Sequence, residues 1–178
     1  MIKKPTKLKI GGNTDFFVES GEIMDPIETF FAQAQAALAL DPSLTYDSAD
    51  AFGDTPAMAD ALAALVLAGQ KTATTSAFAL YAKDQEPLPQ PRGLNIVLDG
   101  HEQPVALTYT EAVTIHPFTA ITPEIAAKEG EGDRSLDYWR QVHTAFFTRE
   151  FQAVGLTFDP ATALVVVEEF RLVFPIAQ

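Results

Sequence analysis

The 178-residue chain is 47% apolar, lacks cysteine and carries a formal charge of −12, with 24 acidic against 12 basic side chains. That is enough apolar material for one sizeable core and suits a single domain better than two. The charge disfavours a surface that grips long duplex DNA, because phosphate binding rests on clustered Lys and Arg. Without cysteine there are no disulfides, thiol nucleophiles or Cys-ligated zinc sites. No apolar run is long enough to span a bilayer and no signal-peptide core follows the N-terminal lysines, so no membrane partner and a cytoplasmic location are expected.

Residues 1–23 open with Lys3, Lys4, Lys7 and Lys9, four of the twelve basic groups, and show no sustained period. They read as an N-terminal extension, with Met24 resembling a start of its own and residues 24–178 forming one domain. Asp25 is a natural N-cap with Pro26 at the first helical position, for a helix running to about Leu40. Ile27, Phe30, Phe31, Ala34 and Leu38 fall on its core face. Asp41-Pro42-Ser43 breaks that helix, and the polar run to Asp50 reads as a loop. Asp54 or Thr55 caps a second helix with Pro56 in its first turn and an apolar stripe of Met58, Ala61, Leu62, Leu65 and Val66.

This second helix stops at Gly69 and runs into Gln70-Lys71-Thr72-Ala73-Thr74-Thr75-Ser76, one amine beside a row of hydroxyls. Residues 72–75 predict a short strand, after which Ser76 can cap a brief helix over 77–82. The prolines between Glu86 and Gly93 predict an extended crossing. Strands are expected at 94–98, at 105–115 after the Asp99-Gly100 turn signal, and at 163–174. Between the last two lies Glu129-Gly130-Glu131-Gly132-Asp133-Arg134-Ser135. Asp133 or Ser135 can cap a helix whose core stripe is Trp139, Val142 and Phe146. On a neighbouring stripe Arg140 and His143 are expected to project together, three residues apart.

Three groups of residues can carry chemistry. A Thr hydroxyl becomes a nucleophile when a base takes its proton, and a lysine of lowered pKa can be that base. Lys71 and Thr74 stand three apart, so they meet only if the chain bends at 71–73, because a flat strand would send them to opposite faces. A carboxyl from the acidic-glycine block can hold a proton or orient water, or simply pair with Lys71. Phe52 and Tyr46 offer rings for base stacking. His101, His116 and His143 lack paired metal-ligand spacing, so no metal and no cofactor are expected.

Gly69-x-Lys71-x-x-Thr74 after a helix resembles the signature of ASCH domains, which have a PUA-like β-barrel and are associated with RNA. Phe52-Gly53-Asp54 and above all Glu129-Gly130-Glu131-Gly132-Asp133-x-Ser135-x-x-x-Trp139-Arg140-x-x-His143 are similar to the longer bacterial branch of that family, over about residues 25–175. The resemblance implies an α+β fold, a small, mostly antiparallel barrel with flanking helices. It also implies a metal-free site like that of the ASCH amidohydrolases acting on N4-acetylcytidine, with Lys71, Thr74 and Glu129 as catalytic residues. Phe52, Asp54, Ser76, Glu131, Asp133, Arg134, Arg140 and His143 are the substrate-binding candidates. Ser76 stands where the short signature has Arg. Three readings follow: hydrolysis of a nucleoside or single-stranded RNA, binding of the same ligands without chemistry, and ribonuclease action through Lys71 and His143.

Overall fold

The computed structural model describes residues 25–175, so the expectations for residues 1–23 and Met24 lie outside the described residues. Its elements run α1 (Pro26–Leu38), β1 (Ser48–Ala51), α2 (Pro56–Leu67), β2 (Ala73–Ala77), α3 (Phe78–Asp84), β3 (Leu94–Leu98), β4 (Pro104–Pro117), α4 (Pro123–Glu129), α5 (Leu136–Ala153) and β5 (Leu164–Phe174). The strands form one mixed sheet in the order β1-β3-β4-β5-β2, with β1 parallel to β3 and the other pairs antiparallel. The sheet curls into a half-barrel with helices outside, an α+β fold. Register shifts on the long strand β4, one of them between Thr110 and Ala112, bend it as bulges do, so a single strand serves both halves of the curl.

Local signals place the helices. Asp25 Oδ1 accepts from the Ile27 amide at 2.8 Å, and Thr55 Oγ1 accepts from the Met58 amide at 3.2 Å, each ahead of a proline in the first turn. Phe31 and Ala34 of α1 are buried on Ile96, Leu98 and Leu107. The buried stripe of α2 is Ala59, Leu62, Ala63 and Val66, whereas Ala61 is exposed. The small side chains at 59 and 63 let α2 lie close to the sheet, where Ala63 and Val66 meet Val97, Ala106 and Phe170. The largest cluster joins Trp139, Phe146, Phe147 and Phe151 of α5 to Phe118, Phe158, Val165 and Val167. Fully buried Phe147 alone contributes about 2–3 kcal/mol by removal from water.

Besides Ala61, four expectations need correction. Ser48–Ala51 is a strand, not a loop: it lacks β-branched residues but gains its order by parallel pairing to β3. Ser76 caps no helix, since β2 runs through it to Ala77 and its hydroxyl meets the Tyr81 hydroxyl at 2.8 Å. Val142 is only partly buried, and His143 takes its place on the core side of α5. Arg140 and His143 do not project together: Arg140 is exposed and donates to the Thr119 carbonyl at 3.2 Å, while His143 is buried. Among the described residues, no helix is long and apolar enough to cross a membrane.

Candidate functional site

The site forms where the end of α2, the start of β2 and the end of α4 are tied by their backbones. The Lys71 amide donates to the Leu65 carbonyl at 3.0 Å, so the chain turns off α2 before β2 begins at Ala73. The Thr72 amide then donates to the Lys128 carbonyl at 2.7 Å, and Gln70 Nε2 to the Gly130 carbonyl at 2.5 Å. Gly130 is required at this junction. Its φ is +75°, and a Cβ there would stand 2.6 Å from the Gln70 carbonyl oxygen. Two segments some sixty residues apart are thus held in backbone contact, and their side chains meet.

Lys71 and Glu129 are each 1% exposed in their side chains. Lys71 Nζ donates to Glu129 Oε2 at 3.1 Å and to Glu131 Oε1 at 2.9 Å, with the Phe52 ring centroid 5.3 Å away. The other oxygen, Glu129 Oε1, accepts from Thr75 Oγ1 at 2.5 Å and from Trp139 Nε1 at 2.6 Å, and lies 3.4 Å from His143 Nε2. Burial by itself would pull the Lys71 ammonium down, but the Glu129 and Glu131 charges and their hydrogen bonds outweigh it and hold Lys71 above the ordinary lysine range. Burial likewise pushes Glu129 up, yet His143, Lys71 and Thr75 together hold its carboxyl well below the usual carboxylate range. The result is a desolvated ion pair whose breakage by loss of one partner costs about 3–5 kcal/mol.

A cavity of about 40 Å³ opens beside this pair, lined by Phe52, Gly53, Met58 and Leu62 on one side and by Lys71, Thr74, Thr75, Glu129, Glu131, Val142, His143 and Phe146 on the other. Lys71, Thr74 and Glu129 all border this cavity, but the bend that would join the Lys71 amine to the Thr74 hydroxyl is not seen. Burial alternates from 71 to 75, so Lys71 shares its side of the chain with Thr75, and no hydrogen bond links Lys71 to Thr74 among the described residues. Burial alternates along β2, with Ala73, Thr75 and Ala77 buried and Thr74 and Ser76 only partly so. Lys71 stands outside the strand, and it is Thr75 that reaches Glu129. The Thr74 hydroxyl makes no hydrogen bond among the described residues. Phe52, stacked on Phe170 with centroids 6.0 Å apart, Glu131 and His143 also reach the cavity.

The remaining substrate-binding candidates do not line it. Asp54 is largely shielded, its side chain 19% exposed, and accepts from Arg149 Nε at 3.0 Å and Nη2 at 2.6 Å. That pairing outweighs the upward pull of burial and lowers the Asp54 carboxyl. Asp133 accepts from the Ser135 amide at 2.8 Å and shapes the turn into α5, whose N-cap is Ser135. Arg134 is exposed with φ of +62°, Arg140 turns to Thr119, and Ser76 faces Tyr81. Away from the cavity, ligand atoms of Asp60, Asp99 and His101 lie within 4.8 Å of one another at the start of the hairpin turn. Oxygens of both aspartates there already accept backbone amides, from Gly100 in one case and from His101 and Gln103 in the other.

Two contacts of Glu129 escaped the sequence reading. Thr75 is four residues after Lys71, the same parity in extended chain, and Trp139 is one helical turn before His143. Both spacings were available as signals. Neither shows which carboxylate the residues address, because that depends on the Gly130 junction.

The fold and site define a class: a mixed half-barrel with outer helices and a buried lysine–carboxylate pair beside a cavity at its end. The ASCH domain profile matches residues 48–174, and the chain belongs to the ASCH family. It resembles the crystal structure of an ASCH domain from Lactobacillus crispatus at 31% identity and a TM-score of 0.77, covering 83% of this chain and 94% of that one. A crystal structure of a protein from Enterococcus faecalis is similar at 33% identity and a TM-score of 0.74, covering 84% and 90%. No curated protein matches the sequence.

Proposed function

We propose that this ASCH domain is a hydrolase of a modified nucleoside or a short single-stranded RNA, of the N4-acetylcytidine amidohydrolase kind, working without a metal from the cavity beside Lys71. The observation that carries the reading is that Lys71, Thr74 and Glu129 line one cavity, with the Thr74 hydroxyl uncommitted. The geometry redistributes the roles expected from sequence. A lysine between two carboxylates keeps its proton and acts as a cation: two of its three N–H groups are engaged, and the third is left for the oxygen of an acyl group, where negative charge develops in the transition state. Thr74 is then the nucleophile, and its proton passes to Glu131, the partly exposed carboxylate in the cavity.

Glu129 has no proton to give and anchors Lys71. The carboxylates a metal would need are turned toward an ammonium, an indole, a hydroxyl and an imidazole, which is the wrong donor set for a cation. ASCH domains are a family proposed to bind RNA, and a second reading, recognition without chemistry, draws on the saturation of Glu129 and the small cavity.

Incubating the protein with N4-acetylcytidine, and separately with a short single-stranded RNA, decides among them. Deacetylation abolished in Lys71→Met and Thr74→Ala is the expected result. Deacetylation that survives Thr74→Ala overturns the nucleophile assignment. Retention of RNA without turnover establishes the binding module, and RNA cleavage dependent on Lys71 and His143 establishes a ribonuclease.

A further inference from the structure

His143 is 7% exposed, stacked on the Trp139 indole with centroids 4.2 Å apart and edge-on to Phe147. Its Nδ1 lies 3.0 Å from the Trp139 carbonyl oxygen, and its Nε2 lies 3.4 Å from Glu129 Oε1. Neither oxygen can donate. A carbonyl accepts only, and Glu129 is an ionised carboxylate already receiving Lys71, Thr75 and Trp139. Either neutral tautomer of the ring would set a nitrogen lone pair against an oxygen. A ring bearing both protons satisfies both contacts.

We infer that His143 is an imidazolium in the resting protein and is the proton donor to the leaving nitrogen of the substrate. The inference rests on the hydrolase reading above. Of the three groups on Glu129 Oε1, His143 is the most loosely held, at 3.4 Å against 2.5 Å for Thr75 and 2.6 Å for Trp139. It also borders the cavity, so its Nε2 proton is the one that can leave. The charged groups facing it are Glu129 from α4, Glu131 from the loop beyond, and Lys71 from the approach to β2. On α5 itself, Arg140 turns outward to Thr119 and Arg149 is held by Asp54.

Thr74 Oγ forms a bond to the acyl carbon while its proton passes to Glu131. The C–N bond breaks, and the nitrogen keeps the electron pair and takes the Nε2 proton, leaving neutral imidazole. Water then attacks the Thr74 ester, giving one proton back to Nε2 and its OH to the acyl group. The departing Thr74 oxygen recovers its proton from Glu131, and the acid is released.

The test compares two acetyl donors that differ in the leaving group, N4-acetylcytidine and 4-nitrophenyl acetate, the second of which departs without a proton. His143→Gln and His143→Asn, checked for melting close to wild type, should lose about 10²–10³-fold in kcat on N4-acetylcytidine. That loss should exceed the loss on the nitrophenyl ester by at least about tenfold. Equal losses on both substrates with an active wild type overturn the donor role alone. A wild type inactive on both overturns the hydrolase reading and the donor role with it. Independently of turnover, ¹⁵N NMR at neutral pH should show both His143 ring nitrogens protonated, and one unprotonated nitrogen overturns the imidazolium assignment.

Discussion

Replacing Glu129 by Gln is the sharpest perturbation of the buried pair. The amide oxygen can still accept from Thr75 and Trp139, but its NH₂ then faces Lys71 Nζ, donor against donor, where a carboxylate oxygen now sits at 3.1 Å. Lys71 keeps only Glu131, and its ammonium stays in a place 2% exposed. The expected cost is about 3–5 kcal/mol, which in a domain of this size lowers the Tm by roughly 10 °C. Lys71→Met leaves Glu129 Oε2 without its cation and costs a similar amount. In Lys71→Met/Glu129→Gln the new NH₂ meets a thioether rather than an ammonium, so the double variant should cost about 2 kcal/mol less than the sum of the singles. Urea unfolding of the four proteins under one buffer gives the cycle. Costs that add within about 0.5 kcal/mol would refute the claim that these two residues form one desolvated unit.

Stability should also depend on pH through a second set of carboxyls on the sheet. Burial raises Glu168 to about 7, helped by Asp50, and burial raises Asp50 to about 6 despite its bond to Ser48. A carboxyl raised in the folded state binds protons there that the unfolded chain has released, so stability falls as pH rises from about 4.5 through 7. Glu129, lowered, acts in the opposite sense: its contribution is present above the unfolded carboxylate range and is lost progressively as pH falls below it. The Tm of the wild type should therefore decline between about pH 5 and pH 8, Glu168→Gln should flatten that decline, and a Tm that climbs across the range refutes the assignment. Gly130→Ala forces a side chain at φ of +75° and 2.6 Å from the Gln70 carbonyl oxygen, a backbone atom that cannot swing away. A loss above about 2 kcal/mol is expected by urea unfolding, and a neutral result refutes the close junction.

The helices and the long strands were legible because their signals are local. Asp25-Pro26 and Thr55-Pro56 mark helix starts by local capping and proline geometry alone, and Leu94–Leu98 and Leu164–Phe174 carry the β-branched content of strands. What was not legible depended on partners. Ser48–Ala51 becomes a strand through β3, a segment nearly fifty residues away, and no property of Ser-Ala-Asp-Ala announces it. The α2 stripe was misjudged at Ala61 because an alanine is apolar on any face, and only the sheet beneath decides which alanines it needs.

The site divides along the same line. Lys71 and Glu129 were readable as a pair from a resemblance, yet their relation in the fold is set by Gly130, whose missing Cβ lets two backbones touch. Once they touch, the chemistry expected from residue types changes sign. A lysine proposed as a base becomes a cation held between two carboxylates, and a glutamate proposed as an acid becomes the acceptor on which Thr75, Trp139 and His143 converge. The groups still able to exchange protons are those the pair holds loosely or not at all: the Thr74 hydroxyl, the partly exposed Glu131 and the His143 imidazole at 3.4 Å. In the proposed hydrolase the reacting groups therefore lie at the rim of the ion pair. Substitutions at Lys71 or Glu129 should collapse the site's architecture, whereas those at Thr74 and His143 should leave the fold standing and report on the chemistry.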